Sequence, residues 1–192
     1  AALLNGLTLK TSSGAAIQAP TFTGAEETYY AYVNDEVDEI VLTPGALMPG
    51  SGITVDGQIV QSGQASQPIA LLSGENTIPV AVVSPDQSET RTYQVVVWRE
   101  ASGNADLQQP GVATAGAELR PAFDPGVTEY RLLVPAGTSE LTLQPVAQHS
   151  GAAVRVNGQD VTGGPVTLPF GGESLSVAVE VLAQDESPRL YT

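Results

Sequence analysis

Residues 53–58 read Ile-Thr-Val-Asp-Gly-Gln, and residues 154–159 repeat the pattern as Val-Arg-Val-Asn-Gly-Gln, 101 positions later. In both segments apolar and polar residues alternate before an Asp-Gly or Asn-Gly pair. The alternation is typical of a β-strand, and the pair favours a type I′ turn because both of its residues tolerate positive φ. Each segment therefore predicts a β-hairpin, and their recurrence predicts two copies of one fold.

The repeat extends over most of the chain. At the offset of 101, Phe22 aligns with Phe123, Tyr29 with Tyr130, Val33 with Val134 and Pro44 with Pro145. Beyond the hairpins, the second copy is four residues shorter, so the offset becomes 97 and residues 78–82 align with 175–179. A further shift of one residue, to an offset of 98, aligns Tyr93 with Tyr191. A period of about 100 residues is long enough for each copy to own a core.

The repeat and the small polar residues at its seam define the domain organisation. We predict a first domain over residues 1–100, a short linker over 101–104 and a second domain over 105–192. The chain has 20 Gly and 14 Pro, and no segment sustains an apolar period of 3.6 residues. The predicted fold class is all-β, with two tandem Ig-like antiparallel β-sandwiches.

The two copies differ at their last strand. The first copy ends in the β-branched and aromatic run Thr92–Trp98, whereas the second reaches only Leu190-Tyr191-Thr192, so we predict that the second domain lacks most of its last strand. Two explanations stay open: a boundary of the fragment, or an open edge that a strand from another chain completes. The protein is therefore expected to be a monomer or a weak dimer through this edge.

Composition excludes several classes of function. The 192 residues include 21 acidic and 7 basic ones, a formal net charge of −14, which disfavours nucleic acid and anionic membrane surfaces as partners. There is no Cys, hence no disulfide, thiolate nucleophile or iron–sulfur site. No apolar run reaches the length that a transmembrane segment needs.

The sequence contains few residues in patterns that are typical of a catalytic site. Five acids lie at predicted turns, where side-chain-to-backbone hydrogen bonds explain them: Asp56, Asp86, Asp124, Asp160 and Asp185. The single histidine, His149, stands beside Ser150 in a predicted loop, and adjacent residues do not form a catalytic triad. We predict no enzymatic activity and no catalytic residues.

Aromatic residues provide the candidate interaction surface. Trp98 and three tyrosines could stack on sugar rings, but Tyr29 aligns with Tyr130 and is therefore expected in the core. Tyr30 and Tyr32 lie one and three positions after Tyr29, so in a strand their side chains are expected on the opposite face from Tyr29. They have no aromatic counterparts in the second copy. We predict that Tyr30 and Tyr32 are exposed and form an interaction surface, or that they pack against the neighbouring domain.

The order of these motifs resembles the cadherin-like β-sandwich domain of bacterial surface and secreted proteins. The residues that carry the resemblance are Phe123, Tyr130, Val134, Leu141, Leu143, Pro145, Val156, Asn157, Gly158 and the segment 171–179, with the turn Asp124–Tyr130. The first copy departs at that turn, where residues 23–26 are Thr-Gly-Ala-Glu. The resemblance implies tandem accessory modules beside adhesive, carbohydrate-active or cell-wall-directed domains, and no catalytic residues.

The resemblance and the excess of acids also raise the question of calcium. The densest acidic stretch, residues 34–39, reads Asn-Asp-Glu-Val-Asp-Glu, but its counterpart 135–140 loses nearly every ligand. A solvated loop between strands is the interpretation we favour. Calcium is unsupported by the sequence, and we predict no cofactor and no metal-binding residue.

These inferences lead to one expected function and one alternative. We expect a non-catalytic structural, adhesion or spacer module of a bacterial secreted or cell-surface protein, with the periplasm as a further location. The alternative is an accessory module that binds carbohydrate or protein, with a protein or a cell-surface polysaccharide as partner. Fold alone does not decide between them.

Overall fold

A computed structural model describes residues 1–192, and every regular element in it is a β-strand. The chain divides into two compact units, Ala1–Ala101 and Ser102–Thr192, here called the first and second units. No helix in the structure is long and apolar enough to cross a membrane. The predicted all-β class is confirmed.

The first unit is a sandwich of two sheets. Its strands are β1 (Leu4–Thr11), β2 (Thr28–Val33), β3 (Glu39–Ala46), β4 (Gly52–Val55), β5 (Gln58–Ile59), β6 (Ile69–Ala70), β7 (Gly74–Val83) and β8 (Thr90–Arg99). One sheet has the order β1-β3-β6 and the other the order β2-β8-β7-β4-β5. Side chains alternate between the faces of a strand, so each sheet buries one face against the other.

The core of the first unit lies between these sheets. Ile40 and Leu42 of β3 face Val80 of β7 and Val95 and Val97 of β8, and all five are 0% exposed. Burying a Val or Ile side chain contributes about 1.5–3 kcal/mol. The apolar residues of the alternating pattern in the sequence thus form the interior face of each strand.

One strand pair departs from the antiparallel arrangement that we predicted. β2 and β8 run parallel over six residue pairs, from Thr28 beside Gln94 to Val33 beside Arg99. Parallel neighbours cannot be joined by a tight turn, and here residues 34–89 separate the two strands in the chain. Periodicity reports the burial of a strand but not its direction.

The second unit contains ten short strands. They are β9 (Leu107–Gln109), β10 (Glu118–Arg120), β11 (Arg131–Leu133), β12 (Glu140–Leu143), β13 (Val146–Ala147), β14 (Ala153–Val156), β15 (Gln159–Asp160), β16 (Val166–Pro169), β17 (Val179–Leu182) and β18 (Pro188–Tyr191). Its largest sheet has the order β15-β14-β17-β18, and three further sheets are pairs. Ser102, in the predicted linker, is 1% exposed and accepts a hydrogen bond from the Asp185 N–H, so it lies within this unit.

The last strand is much shorter in the second unit. β8 has ten residues and β18 has four, as predicted from the sequence. β8 pairs with β7 over ten residues and β18 with β17 over four. The largest sheet of the second unit consequently ends at β18, and β11 pairs only with β10.

The structure confirms the two hairpins but corrects the alignment after them. The turn residues Asp56 and Asn157 have φ of 49° and 48°, and the following glycines are also positive, as type I′ turns require. Val80 pairs with Val55, and Val179 pairs with Val156, which gives an offset of 99 rather than 97. An even shift preserves the period-two alternation, so the sequence pattern could not detect this error.

A buried tyrosine joins the first and last strands of each unit. The Tyr93 hydroxyl accepts a hydrogen bond from the Leu4 N–H at 3.3 Å, and the Tyr191 hydroxyl accepts one from the Leu107 N–H at 3.1 Å. The Tyr191 hydroxyl also donates to the Pro125 carbonyl oxygen at 3.0 Å. These bonds satisfy backbone groups that would otherwise lose hydration on burial.

We expect Tyr191→Phe to lower the free energy of unfolding of the second unit by about 1–3 kcal/mol, because the buried Leu107 N–H loses its acceptor. Urea denaturation measures the change. The control is Tyr32→Phe, whose side chain is 73% exposed and which should change stability by less than about 0.5 kcal/mol. Equal effects of the two variants would contradict this assignment.

The turn between β7 and β8 is organised around a carboxylate. Hydrogen bonds from the Ser84 hydroxyl, the Ser88 hydroxyl and the Ser88 N–H hold the pKa of Asp86 well below its usual value of 3.8. Between β17 and β18, the Ser187 side chain and N–H likewise lower the pKa of Asp185. Both turns are built on a serine two residues after the aspartate.

Because the folded-state pKa of Asp86 is lowered, its ionised form favours the fold. This contribution is present above the unfolded pKa near 3.8 and is lost as the pH falls through the lower folded value. We expect Ser88→Ala to raise the pKa of Asp86 only, and Ser187→Ala to raise that of Asp185 only. Carboxyl-carbon NMR titrations of both variants measure these shifts, and an unchanged Asp86 pKa in Ser88→Ala would refute the assignment.

Candidate functional site

Two tyrosines of β2 point away from the core of the first unit. Along the strand, Tyr29 and Ala31 are 7% and 2% exposed, whereas Tyr30 and Tyr32 are 55% and 73% exposed. The strand alternates its side chains, and the two inward positions belong to the apolar core. Tyr30 and Tyr32 are therefore exposed on the outer face of β2, as the alternation in the sequence predicts.

The parallel strand pair adds a tryptophan to the same face. Tyr32 of β2 pairs with Trp98 of β8, and Tyr30 pairs with Val96. Paired residues share a face of the sheet, and hydrogen-bonded strands lie about 4.8 Å apart. Trp98 is 49% exposed, so Tyr30, Tyr32 and Trp98 together form one exposed surface, here called the aromatic face.

Polar side chains border the aromatic face on the neighbouring strand. In β7, Glu75 pairs with Trp98 and Thr77 pairs with Val96, and both Glu75 and Thr77 are exposed. A carboxylate and a hydroxyl thus lie one strand away from the tryptophan. The combination of exposed rings with hydrogen-bonding groups is suited to a ligand that is apolar on one side and polar at its edges.

The second unit has no equivalent surface. Arg131 and Leu133 occupy the repeat positions of Tyr30 and Tyr32, and Leu133 is 47% exposed. The aromatic face is therefore a property of the first unit alone. Sequence reasoning identified Tyr30 and Tyr32 but could not bring Trp98 beside them, because the strand pairing that does so is non-local.

A cavity of about 320 Å³ lies next to β2 in the first unit. Its wall includes Leu7 and Leu9 of β1, Phe22, Tyr29 and Tyr30, and Lys10 is the only charged residue that lines it. The lining contains no carboxylate. Most of the lining is apolar, and Thr8, Lys10 and Thr21 are its polar side chains besides the two tyrosines.

Four of the five acids predicted at turns accept hydrogen bonds from the backbone of their turns, whereas the Asp56 carboxylate makes none and this residue serves its turn through positive φ. Asp124 accepts a hydrogen bond from the Gly126 N–H at 2.7 Å, and Asp160 accepts one from the Thr162 N–H at 2.9 Å. The Thr162 hydrogen bonds lower the pKa of Asp160. A general acid in glycoside hydrolysis needs a raised pKa, so this shift runs in the opposite direction.

The single histidine is engaged in a local turn. The His149 Nδ1 atom accepts a hydrogen bond from the Gly151 N–H at 3.1 Å. One ring nitrogen is thereby held by the backbone of the loop.

The acidic loop of residues 34–39 is organised by a cation from the chain itself. The Arg99 side chain donates to the carbonyl oxygens of Asp35 and Val37, and the Asn34 side chain accepts from the Glu36 N–H. Arg99 is 7% exposed. No group of three or more His, Cys, Asp or Glu residues lies close enough together to hold a metal ion. The buried guanidinium thus fixes the backbone of this loop through two carbonyl oxygens.

The comparisons with known proteins identify the fold family. The model of the cadherin-like β-sandwich domain matches residues 4–100 and again residues 107–192. No curated protein sequence matches the chain. Among solved structures, the SGBP-B protein of the Bacteroides ovatus mixed-linkage glucan utilization locus, in complex with a mixed-linkage heptasaccharide, is similar at 16% identity and a TM-score of 0.26.

That likeness covers 90% of this chain and 65% of the Bacteroides protein. A likeness at this TM-score carries no argument about what the present chain does. The family matches, in contrast, cover both copies of the sequence repeat and nearly all of the chain. The chain belongs to the cadherin-like β-sandwich domain family, of which it contains two tandem copies.

Proposed function

We propose that the chain is a non-catalytic module of a secreted or cell-surface protein, and that its first unit binds polysaccharide through the aromatic face. The observation that carries this proposal is the placement of Tyr30, Tyr32 and Trp98 on one side of two hydrogen-bonded strands. Exposed aromatic clusters on soluble proteins mark interaction sites, because their contact with water is unfavourable.

The chemistry of the aromatic face favours sugars over other ligands. A pyranose ring presents C–H groups on its faces and hydroxyls at its edges. Tyrosine and tryptophan rings offer flat apolar surfaces to the former, and Glu75 and Thr77 offer hydrogen bonds to the latter. The open sheet suits an extended chain, since no wall encloses a single sugar. Because the net negative charge of the molecule repels anionic ligands, we expect the glycan to be neutral.

The proposal assigns no reaction to this surface. The cavity beside β2 holds no carboxylate, and Glu75 is the one carboxylate that pairs directly with a residue of the aromatic face. Glycoside hydrolysis needs two carboxyl groups on either side of the scissile bond. A single exposed acid on a flat sheet binds through hydrogen bonds instead.

We expect the double variant Tyr32→Ala with Trp98→Ala to bind an insoluble or long-chain neutral glucan at least tenfold more weakly than the parent chain, because two stacking surfaces are lost. Affinity electrophoresis measures the retardation. The matched control is Leu133→Ala in the second unit, which occupies the repeat position of Tyr32 and should leave retardation unchanged.

The chain contains one tryptophan, so its fluorescence reports on the aromatic face directly. We expect a soluble oligosaccharide of the bound glucan to shift Trp98 emission to shorter wavelength, because stacking removes water from the half-exposed ring. Unaltered emission and unaltered retardation across a panel of neutral glycans would exclude carbohydrate binding. Saturable binding to a protein ligand instead, with the same loss in the double variant, would reassign the surface to a protein partner.

A second candidate function is that of a spacer or adhesion module. It is supported by the two separate cores, one in each unit. A spacer needs stability but no ligand, so it predicts that the double variant differs from the parent chain in no interaction. The glycan experiment therefore separates the two functions.

A further inference from the structure

The cavity beside β2 lies on the open side of the sandwich of the first unit. β1 is the outermost strand of one sheet, and β2 is the outermost strand of the other. Both strands line the cavity, and the segment 12–27 that joins them supplies most of the remaining wall. Because neither strand has a further neighbour in its sheet, the cavity lies at the edge of both sheets. We call it the β1–β2 pocket.

The segment that joins the two strands covers the β1–β2 pocket only in part. Near its start, the Ile17 N–H donates to the Leu9 carbonyl oxygen at 3.2 Å and holds the segment against β1. Near its end, the Phe22 ring packs on the Tyr29 ring, with 4.7 Å between the ring centroids. Residues 19–21 lie between these two contacts, line the pocket and are exposed. The pocket therefore reaches solvent beside residues 19–21.

The floor of the β1–β2 pocket belongs to the core. Its buried residues, none of them more than 8% exposed, are Leu7, Leu9, Tyr29, Ala31 and Val95. A cavity of about 150 Å³ with an aliphatic and aromatic lining holds benzene. The β1–β2 pocket, at about 320 Å³, has room for roughly two aromatic rings. The Phe22 and Tyr29 rings favour such a ligand, since aromatic rings attract one another in stacked and edge-to-face arrangements.

One cation stands at the rim of the β1–β2 pocket. Lys10 is the only lysine of the chain and the only charged residue in the lining. Its side chain is exposed, so it lies where the pocket meets solvent, and none of the ion pairs in the structure involves it. An ammonium group beside an apolar pocket attracts a carboxylate, and the lining contains no carboxylate of the chain that could satisfy it.

The net charge of −14 opposes a small anion less than it opposes a polyanion. At physiological ionic strength, exposed charges more than about 8 Å apart are largely screened from each other. A single carboxylate at Lys10 therefore responds chiefly to this cation, whereas an anionic polysaccharide would extend past many of the 21 acids. The pocket and the aromatic face thus favour ligands of different charge.

We propose that the β1–β2 pocket binds a small aromatic monocarboxylate. Roughly two rings lie between the edge strands, against Phe22 and Tyr29, and the carboxylate accepts a hydrogen bond from the Lys10 ammonium group. The site is separate from the proposed glycan site, since Tyr30 is the only residue that the pocket shares with the aromatic face. Neither function depends on the other.

The test uses the whole chain and three probes. Naphthoate carries two fused rings and a carboxylate, naphthalenemethanol is its neutral analogue, and octanoate is an aliphatic carboxylate. Methyl NMR spectra locate each probe on the protein, and titration of the shifted signals gives its Kd.

We expect naphthoate to bind with a Kd of about 1 mM or lower. Its ring current should shift the methyl signals of four residues that line the pocket, Leu7, Leu9, Ala31 and Val95. The methyl signals of Val154 and Val181, in the core of the second unit, should stay unchanged and serve as the internal control. Naphthalenemethanol should bind more weakly because it carries no charge, and octanoate because it cannot stack on the rings.

The variant Lys10→Met keeps an unbranched apolar side chain but removes the charge. We expect it to weaken naphthoate binding roughly fivefold or more and to leave the binding of naphthalenemethanol unchanged. The matched control is Arg131→Met in the second unit, which changes the net charge of the chain equally and lies outside the lining. It should leave the binding of both probes unchanged.

Several results would overturn the proposal. Unshifted methyl signals of the four lining residues at millimolar naphthoate would exclude the site. Equal affinities of naphthoate and naphthalenemethanol, or an equal loss in Lys10→Met and Arg131→Met, would exclude the role of the cation. Tighter binding of octanoate than of naphthoate would exclude an aromatic ligand.

The last control concerns the place of binding. The double variant Tyr32→Ala with Trp98→Ala changes the aromatic face but no residue that lines the pocket. We expect it to bind naphthoate as the parent chain does, whatever its effect on glycan binding. Loss of naphthoate binding in this variant would assign the probe to the aromatic face and refute the pocket.

Discussion

The two-sided pairing of the last strand is the constraint on which both units depend. In the first unit β8 hydrogen-bonds to β2 on one edge and to β7 on the other, and its inward valines are sealed from solvent. Where this pairing is complete, a five-stranded sheet forms. In the second unit β18 pairs with β17 over four residues, and the segment 173–178 is not in a strand.

The same pairing creates the candidate binding surface. Burial of Val95 and Val97 turns Val96 and Trp98 outward, because successive side chains of a strand point to opposite faces. The parallel register then places Trp98 next to Tyr32. The aromatic face is thus the outer side of the strands that complete the core, and in the second unit Arg131 and Leu133 stand in place of its two tyrosines. Stability and the proposed recognition share one structural element.

Much of the fold could be predicted from residue patterns. The Asp56-Gly57 and Asn157-Gly158 turns, the all-β class and the short β18 followed from local signals, because φ preferences and apolar alternation act within a few residues. The offset of 99 and the parallel pair could not be predicted. An even slip leaves the apolar face unchanged, and strand direction depends on partners that are distant in the chain.

The same distinction between local patterns and contacts distant in the chain applies to the candidate site. The sequence by itself determined that Tyr30 and Tyr32 face away from the core and that the chain is a tandem repeat, since strand alternation and self-similarity are properties of the chain. Only the tertiary structure decided that Trp98 lies beside Tyr32 and that the Arg99 side chain donates hydrogen bonds to the carbonyl oxygens of the acidic loop. These features arise from hydrogen bonds between residues far apart in sequence, and such contacts form only when the sheets assemble.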